Sequence, residues 1–348
     1  MPRLLRVVGS SGDGSNPFTR HLLESLHDTG EVEFRPYSKR VVGSDWPDIW
    51  HLNWPDAAYR ATSVPVTAAK AAKLLAQIRW ARLRGTRLVW TVHNLEPHEV
   101  RFPRIEAWFW RRFRESVDLF VHLSEAGRSC FLKQFPETEY ASSHIALFHP
   151  AYPVPSEAFT ERGEARRRQG MKEEAPMLVI VGRLAPYKGI PTAIEDFAQA
   201  GIDTAHLTVA GQPTDHRIEQ QLKEASRQCL SVELRLRYLN PDELYEIVRA
   251  ADIVLLPYRT FLNSGALLLA LSLGRPVLVP ATAVTKELQI IVGAKWVHTY
   301  TGRLTRQDLE DALEVETGVR DVSELPDLTS LSWERFATKL VAAYRALL

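Results

Sequence analysis

The chain has only two cysteines in 348 residues, Cys130 and Cys229, and they lie in different halves. That scarcity excludes a disulfide framework and fits a reducing compartment. No apolar run reaches the roughly 18–20 residues that a membrane-spanning helix needs. Met1 to Val8 is a short strand-like run meeting a glycine-rich loop, not the apolar stretch of a secretory signal, so the expected location is the cytoplasm. Neither the Walker pattern G-x-x-x-x-G-K-[ST] nor the dinucleotide fingerprint G-x-G-x-x-G occurs, which disfavours a P-loop enzyme and a nicotinamide-dependent dehydrogenase. Short repeats and low-complexity tracts are missing too. An excess of one charge is also lacking: the net is +1, which does not suggest a nucleic-acid partner.

What is present suits two α/β domains. The length fits two domains of roughly 150–180 residues, and 45% hydrophobic content supplies two cores. Apolar strand-length runs alternate with helical segments throughout, as in doubly wound folds. Prolines at 150, 153 and 155 mark a connector. We therefore expect Rossmann-like domains over 1–155 and 156–330, and a last helix over 331–348. The halves differ in character. Residues 1–150 hold 20 Lys and Arg against 16 Asp and Glu, with seven of nine tryptophans and eight of eleven histidines. This basic, tryptophan-rich half is the expected side for a sugar or a membrane surface.

Open α/β sheets bind ligands beyond the C-terminal ends of their strands. Three such places stand out in the first half. The loop Gly9 to Pro17 follows the first strand and contains Asp13. A strand over Asp48 to Leu52 ends in W-H-L-N-W-P-D, with His51, Asn53, Trp54 and Asp56. A strand over Arg87 to Val92 runs into H-N-L-E-P-H-E, with His93, Asn94, Glu96, His98 and Glu99. One histidine there would be structural; this density at a strand end favours function. Trp54 reads equally as a stacking surface for a sugar or as a core residue. Arg104 to Arg114, R-I-E-A-W-F-W-R-R-F-R, interleaves aromatics with arginines without clean amphipathic spacing. It reads either as a packed helix with a basic outer side or as an element lying on anionic lipid.

In the second half, Met177 to Gly189 reads M-L-V-I-V-G-R-L-A-P-Y-K-G. An apolar strand, Gly182, Arg183, Lys188, a second glycine and a helix start form a suitable cradle for phosphate. The helix offers unpaired N–H groups and its positive dipole end, and the two cations add full charge. The alternative is an ordinary strand-to-helix turn with surface cations. Two domains that each carry ligand loops imply a cleft between them and a group transfer.

V-G-R-L-A-P-Y-K-G, A-G-Q-P, D-E-L-Y-E-I-V-R-A-A-D-I-V-L-L-P-Y, L-L-A-L-S-L-G-R-P-V and S-W-E-R-F-A occur in that order. The ordered set resembles the C-terminal domain of GT-B glycosyltransferases related to the large family 4 group. The first half is similar more loosely, through its glycine loop and T-V-H-N. The resemblance implies that Gly182, Arg183 and Lys188 hold the diphosphate of a sugar nucleotide and that no metal ion or other cofactor is needed; no D-x-D motif occurs. It also implies that Tyr238 and Leu239 frame the base, and that the last helix braces the first domain.

One departure is plain. The two glutamates of the family's E-x7-E pattern would fall on Phe261 and Leu269. In their place stands L-N-S-G-A-L-L-L-A-L, which makes Asn263, Ser264 and Gly265 the substitute donor contacts. This feature and H-N-L-E-P-H-E look like bacterial β-mannosyltransferases of the xanthan type. Those transfer mannose from GDP-mannose to a polyprenyl-diphosphate-linked oligosaccharide, with inversion. That likeness implies a carboxylate or histidine as the base, and local clustering makes Glu96, Glu99, Asp56 and Asp13 the general-base candidates in falling order. His93 would contact the sugar or the reaction centre, and Trp54, Asn94 and His98 the acceptor. Two other readings stand beside it: a retaining GT-B enzyme using a UDP-sugar, and a nucleotide-sugar-binding protein without catalysis.

Overall fold

The computed structural model describes residues 3–9, 16–37, 46–95, 100–171, 175–202, 204–227, 229–258, 262–317 and 325–348. Asp13, Glu96, His98 and Glu99 lie outside these described residues. The chain forms two compact units, one of Met1–Pro150 with Leu331–Leu348 and one of Ala151–Ser330. The first unit thus ends at Pro150, before the expected position, and takes in the C-terminal helix.

The first unit alternates β1 (Leu5–Gly9), α1 (Pro17–Asp28), β2 (Val32–Pro36), β3 (Ile49–Leu52), α2 (Val64–Leu83), β4 (Arg87–Val92), α3 (Pro103–Arg114), β5 (Leu119–His122), α4 (Glu125–Gln134) and β6 (Ser143–Ala146). Its strands pair in parallel in the order β2-β1-β3-β4-β5-β6. Helices cover both faces, so strands such as β3 are buried along their whole length, as parallel sheets require. One core joins Phe18, Leu22 and Leu26 of α1 to Phe336, Leu340 and Tyr344 of the C-terminal helix (Trp333–Ala346). The other joins Leu74 and Ile78 of α2 to Phe109 and Phe113 of α3, over Trp90 and Phe120.

Helix α3 resolves the ambiguity of its sequence. Glu106, Phe109 and Phe113 form its buried face. The Glu106 carboxylate accepts the N–H groups of Arg101 and Phe102, at 2.8 and 2.9 Å. A buried carboxylate is tolerable here because it satisfies donors at the helix start. Phe109 and Phe113 therefore belong to the core and are not available to lipid, whereas Trp108 faces outward beside Arg104, Arg111 and Arg112.

The second unit alternates α5 (Arg162–Arg168), β7 (Met177–Val181), α6 (Ile190–Ala200), β8 (His206–Ala210), α7 (His216–Ser226), β9 (Val232–Arg235), α8 (Pro241–Ala250), β10 (Ile253–Leu255), α9 (Gly265–Ser272), β11 (Val277–Pro280), α10 (Ala283–Val292), β12 (Val297–Tyr300) and α11 (Arg306–Thr317). Its order is β12-β11-β10-β7-β8-β9, again all parallel. Asp252, at the start of β10, anchors the central strands. It pairs with buried Arg166 at 2.6 Å and with Arg162, and accepts the Met177 N–H at 2.7 Å. A buried ion pair persists when hydrogen bonds of this kind complete it.

Both units are α/β Rossmann-like parallel sheets. In each, the chain order reverses beside the first strand, between β1 and β3 and between β7 and β10. Such switch points open a crevice beyond the strand ends, where doubly wound sheets hold ligands.

Candidate functional site

The β7–β10 switch point is built on glycine geometry. Gly182 leaves β7 with φ +98°, a conformation that side chains disfavour. A Cβ on Gly211, just past β8, would fall 1.8 Å from the Gly182 carbonyl oxygen. The two backbones touch, so the chain can turn across the strand ends. Leu184 N–H donates to Gln212 O, and Thr214 N–H to Leu184 O, both at 2.9 Å. These bonds fasten the loop. Gly189, at φ +66°, then lets α6 begin.

Lys188 closes the short helical turn Pro186–Lys188 and is only 6% exposed. Its ammonium lies 5.0 Å from the ring centroid of Tyr258, the residue that follows β10 by three positions. A Cβ on Gly182 would be 3.7 Å from the same Nζ. Among the described residues the ammonium has neither a carboxylate nor a hydrogen-bond acceptor. A full positive charge this buried is ordinarily paired, so the site calls for an anion. Arg183 is exposed and, among the described residues, carries no ion pair or hydrogen bond.

Helix α9 begins beyond β10. The Ser264 hydroxyl caps it by accepting the Leu267 N–H at 3.2 Å. That bond occupies Ser264 and the Leu267 N–H with the helix and leaves the Gly265 and Ala266 N–H groups of the first turn to a ligand. A Cβ on Gly265 would meet the Tyr152 hydroxyl at 3.0 Å. Burial raises the Tyr152 phenol to about 12, so it stays neutral. Asn263 is half-buried just before the cap. Tyr238, 68% exposed, and Leu239 follow β9, separated from β7 in the sheet by β8. Their loop is fixed by a capping box between Asn240 and Glu243 and by an Arg237–Glu243 ion pair at 2.7 Å.

In the first unit, the ends of β3 and β4 gather a buried histidine cluster. His51 bridges the Tyr344 hydroxyl of the C-terminal helix and the Thr91 hydroxyl, the latter at 2.7 Å. His93 Nε2 lies 3.2 Å from Asn53 Oδ1, so the neutral ring donates there and keeps Nδ1 as its acceptor. Its ring stacks on Trp54 at 4.1 Å and meets the edge of Phe18 at 4.7 Å. His149 packs against Phe18 from another side, and its Nδ1–H donates to Pro150 O at 2.9 Å. Burial lowers His51 to about 3 and His149 to about 4. Burial, then the neighbouring His149 and His51, push His93 well below the usual imidazole value. All three are neutral near pH 7. His93 is thus a placed hydrogen-bonding group and a weak proton acceptor.

The structure brings His93, Trp54 and Asn53 into contact and leaves Asn94 half-buried beside them. Asp56 stands on the turn after β3 and pairs with Arg60 at 2.9 Å. Sequence reading did not single out Tyr258, Gly211, Tyr152 or His149. Tyr258 could have been found had the strand order been known, because its proline-tyrosine step follows the switch-point strand.

Residues 175–314 match the family described as glycosyl transferases group 1. A GDP-mannose:glycolipid 4-beta-D-mannosyltransferase of Xanthomonas campestris pv. campestris is 28% identical over 92% of this chain and 85% of its own. Among solved structures, sucrose-phosphate synthase from Thermosynechococcus elongatus aligns over 99% of both chains with TM-score 0.66 and 15% identity. A glycosyltransferase from Rickettsia africae aligns over 100% of this chain and 99% of its own, with TM-score 0.66 and 9% identity. The chain is a glycosyltransferase of GT-B fold, and its second unit carries the stretch that is similar to the group 1 glycosyl transferases.

Proposed function

We propose that this enzyme transfers mannose from GDP-mannose to a glycan or polyprenyl-diphosphate-linked oligosaccharide, with inversion. The observation that carries the donor half is the buried, anion-seeking Lys188 at the β7–β10 switch point. The likeness to a mannosyltransferase over nearly the whole chain supports the sugar and the acceptor class. In this reading Lys188 and Arg183 neutralise the departing diphosphate, so the step needs no metal ion. Gly182 gives the phosphates room. Asn263 and the first turn of α9, with Ser264 and Gly265, take the place of the absent glutamates. Tyr238 and Leu239 frame the base.

A carboxylate takes the acceptor proton as the hydroxyl attacks the anomeric carbon and the bond to the diphosphate breaks. Glu96 leads the candidates, ahead of Glu99, Asp56 and Asp13, because it follows the strand end that carries His93. Asp56 is already engaged by Arg60. His93 hydrogen-bonds the sugar or the reaction centre, and Trp54, Asn94 and His98 hold the acceptor.

Thermal-shift titration with GDP, UDP, ADP and their sugars tests the donor. GDP and GDP-mannose should raise the melting temperature most. Stabilisation by UDP-glucose alone would instead favour a retaining UDP-sugar enzyme, and transfer failing across a panel of acceptors would favour a non-catalytic binder.

No helix among the described residues is long and apolar enough to cross a membrane. A lipid-linked acceptor would still bring the enzyme to the inner face of the cell membrane. Helix α2 has no acidic residue and exposes Lys70, Lys73, Arg79, Trp80 and Leu83. With Arg104 and Trp108 of α3, these suit a peripheral contact with anionic lipid. The protein should sediment with anionic liposomes and be released by salt; no sedimentation at low salt would remove the contact.

A further inference from the structure

We infer that Tyr258 is a positioning residue of the donor site: its ring face holds the Lys188 ammonium over the Gly182 turn, where the diphosphate docks. The inference rests on the phosphate reading of Lys188 and goes beyond it by naming what fixes that cation. Tyr258 is 5% exposed, stands beyond β10, and meets Lys188 across the switch point, with Nζ 5.0 Å from the ring centroid. The Tyr187 ring sits edge-on to it, with centroids 6.4 Å apart.

A lysine side chain has four rotatable bonds, and its charge is strongly hydrated in water. Something must hold it extended in a buried place before the ligand arrives. Every carboxylate among the described residues leaves this ammonium unpaired. A carboxylate would position it better but would also compete with the phosphate for its charge. A ring face attracts the cation through its quadrupole while leaving its formal charge uncancelled. Tyr258 thus orders Lys188 without neutralising it.

The test varies the ring face at constant shape. Tyr258 is replaced by phenylalanine and then by mono-, di- and trifluorophenylalanine, which progressively weaken the quadrupole. Folding is followed by circular dichroism, and affinity by calorimetric titration with GDP, or with UDP if GDP does not bind. Tyr258→Phe should bind within about twofold of wild type, and the trifluoro variant roughly tenfold more weakly, in graded steps. In a Lys188→Met background the same series should be flat, because the ring acts through Lys188. A flat series with Lys188 present would overturn the role of Tyr258 while leaving the phosphate site standing. So would a Tyr258→Phe variant that alone loses binding, since the hydroxyl would then be the operative group. A wild-type protein that binds neither nucleotide removes the phosphate site itself, and this role with it.

Discussion

Lys188→Met should weaken GDP binding roughly 10- to 100-fold, the worth of one charge-assisted contact to phosphate. The same substitution should not lower the melting temperature of the free enzyme, and a small rise is expected. Lys188 is buried, and among the described residues its ammonium has a ring beside it but no carboxylate; without ligand its charge is a liability, and a methionine of similar length fills the space without it. Opposite signs for binding and stability are what a site built for an absent anion should show. Arg183→Ala should act in the same direction but more weakly and with more salt dependence, because Arg183 is exposed. Calorimetry and thermal melts on the same preparations measure both quantities. Unchanged GDP affinity in Lys188→Met would contradict the assignment, and a large fall in melting temperature would mark Lys188 as structural.

Gly211→Ala should cost about 3 kcal/mol or more and abolish GDP binding together with stability. The reason is steric: the new Cβ would lie 1.8 Å from the Gly182 carbonyl oxygen. One backbone must move, and the Gly182 backbone belongs to the turn that presents Arg183 and Lys188, against which Gly211 packs. Gly201→Ala is the control. Gly201 also has positive φ, +62°, but a Cβ there meets nothing within 4 Å. It should cost only the left-handed penalty of about 1–2 kcal/mol and leave GDP binding intact. Denaturant unfolding with parallel GDP titration separates the two. A Gly211→Ala variant that unfolds and binds like wild type would show that the turn is looser than its geometry implies.

Much of the second unit was legible because strands such as β7 and β10 are apolar runs buried along their whole length and its glycines mark the turns. Met177 to Val181, Gly182 and the α6 start at Ile190 could be read directly. Helices α10 and α11 and strand β12 could not. Strand β12 is the four residues V-H-T-Y, and α10 opens on a Thr282–Thr285 capping box in which a second threonine does the work expected of a glutamate. Helix α3 left two readings open for a different reason. Its core face includes Glu106, whose carboxylate is buried to serve backbone donors, so the apolar period looks broken in the sequence.

The site shows the same divide. Gly182, Arg183 and Lys188 are close in sequence and announce themselves. The partners that give Lys188 its character, Tyr258 and the close approach of Gly211, come from other strands and appear only once the sheet order brings the strand ends together. In the first unit, His51 and His93 looked alike as strand-end histidines. The structure divides them: His51 ties the C-terminal helix to β4 through Tyr344 and Thr91, whereas His93 stacks on Trp54 and bonds Asn53.

The most direct test of the whole account is the transfer itself. The enzyme is incubated with GDP-mannose and a polyprenyl-diphosphate-linked oligosaccharide, and the product linkage is read by NMR at the anomeric position. The account predicts a β-mannoside formed from the α-linked donor. An α-mannoside, or transfer from a UDP-sugar with none from GDP-mannose, would contradict it.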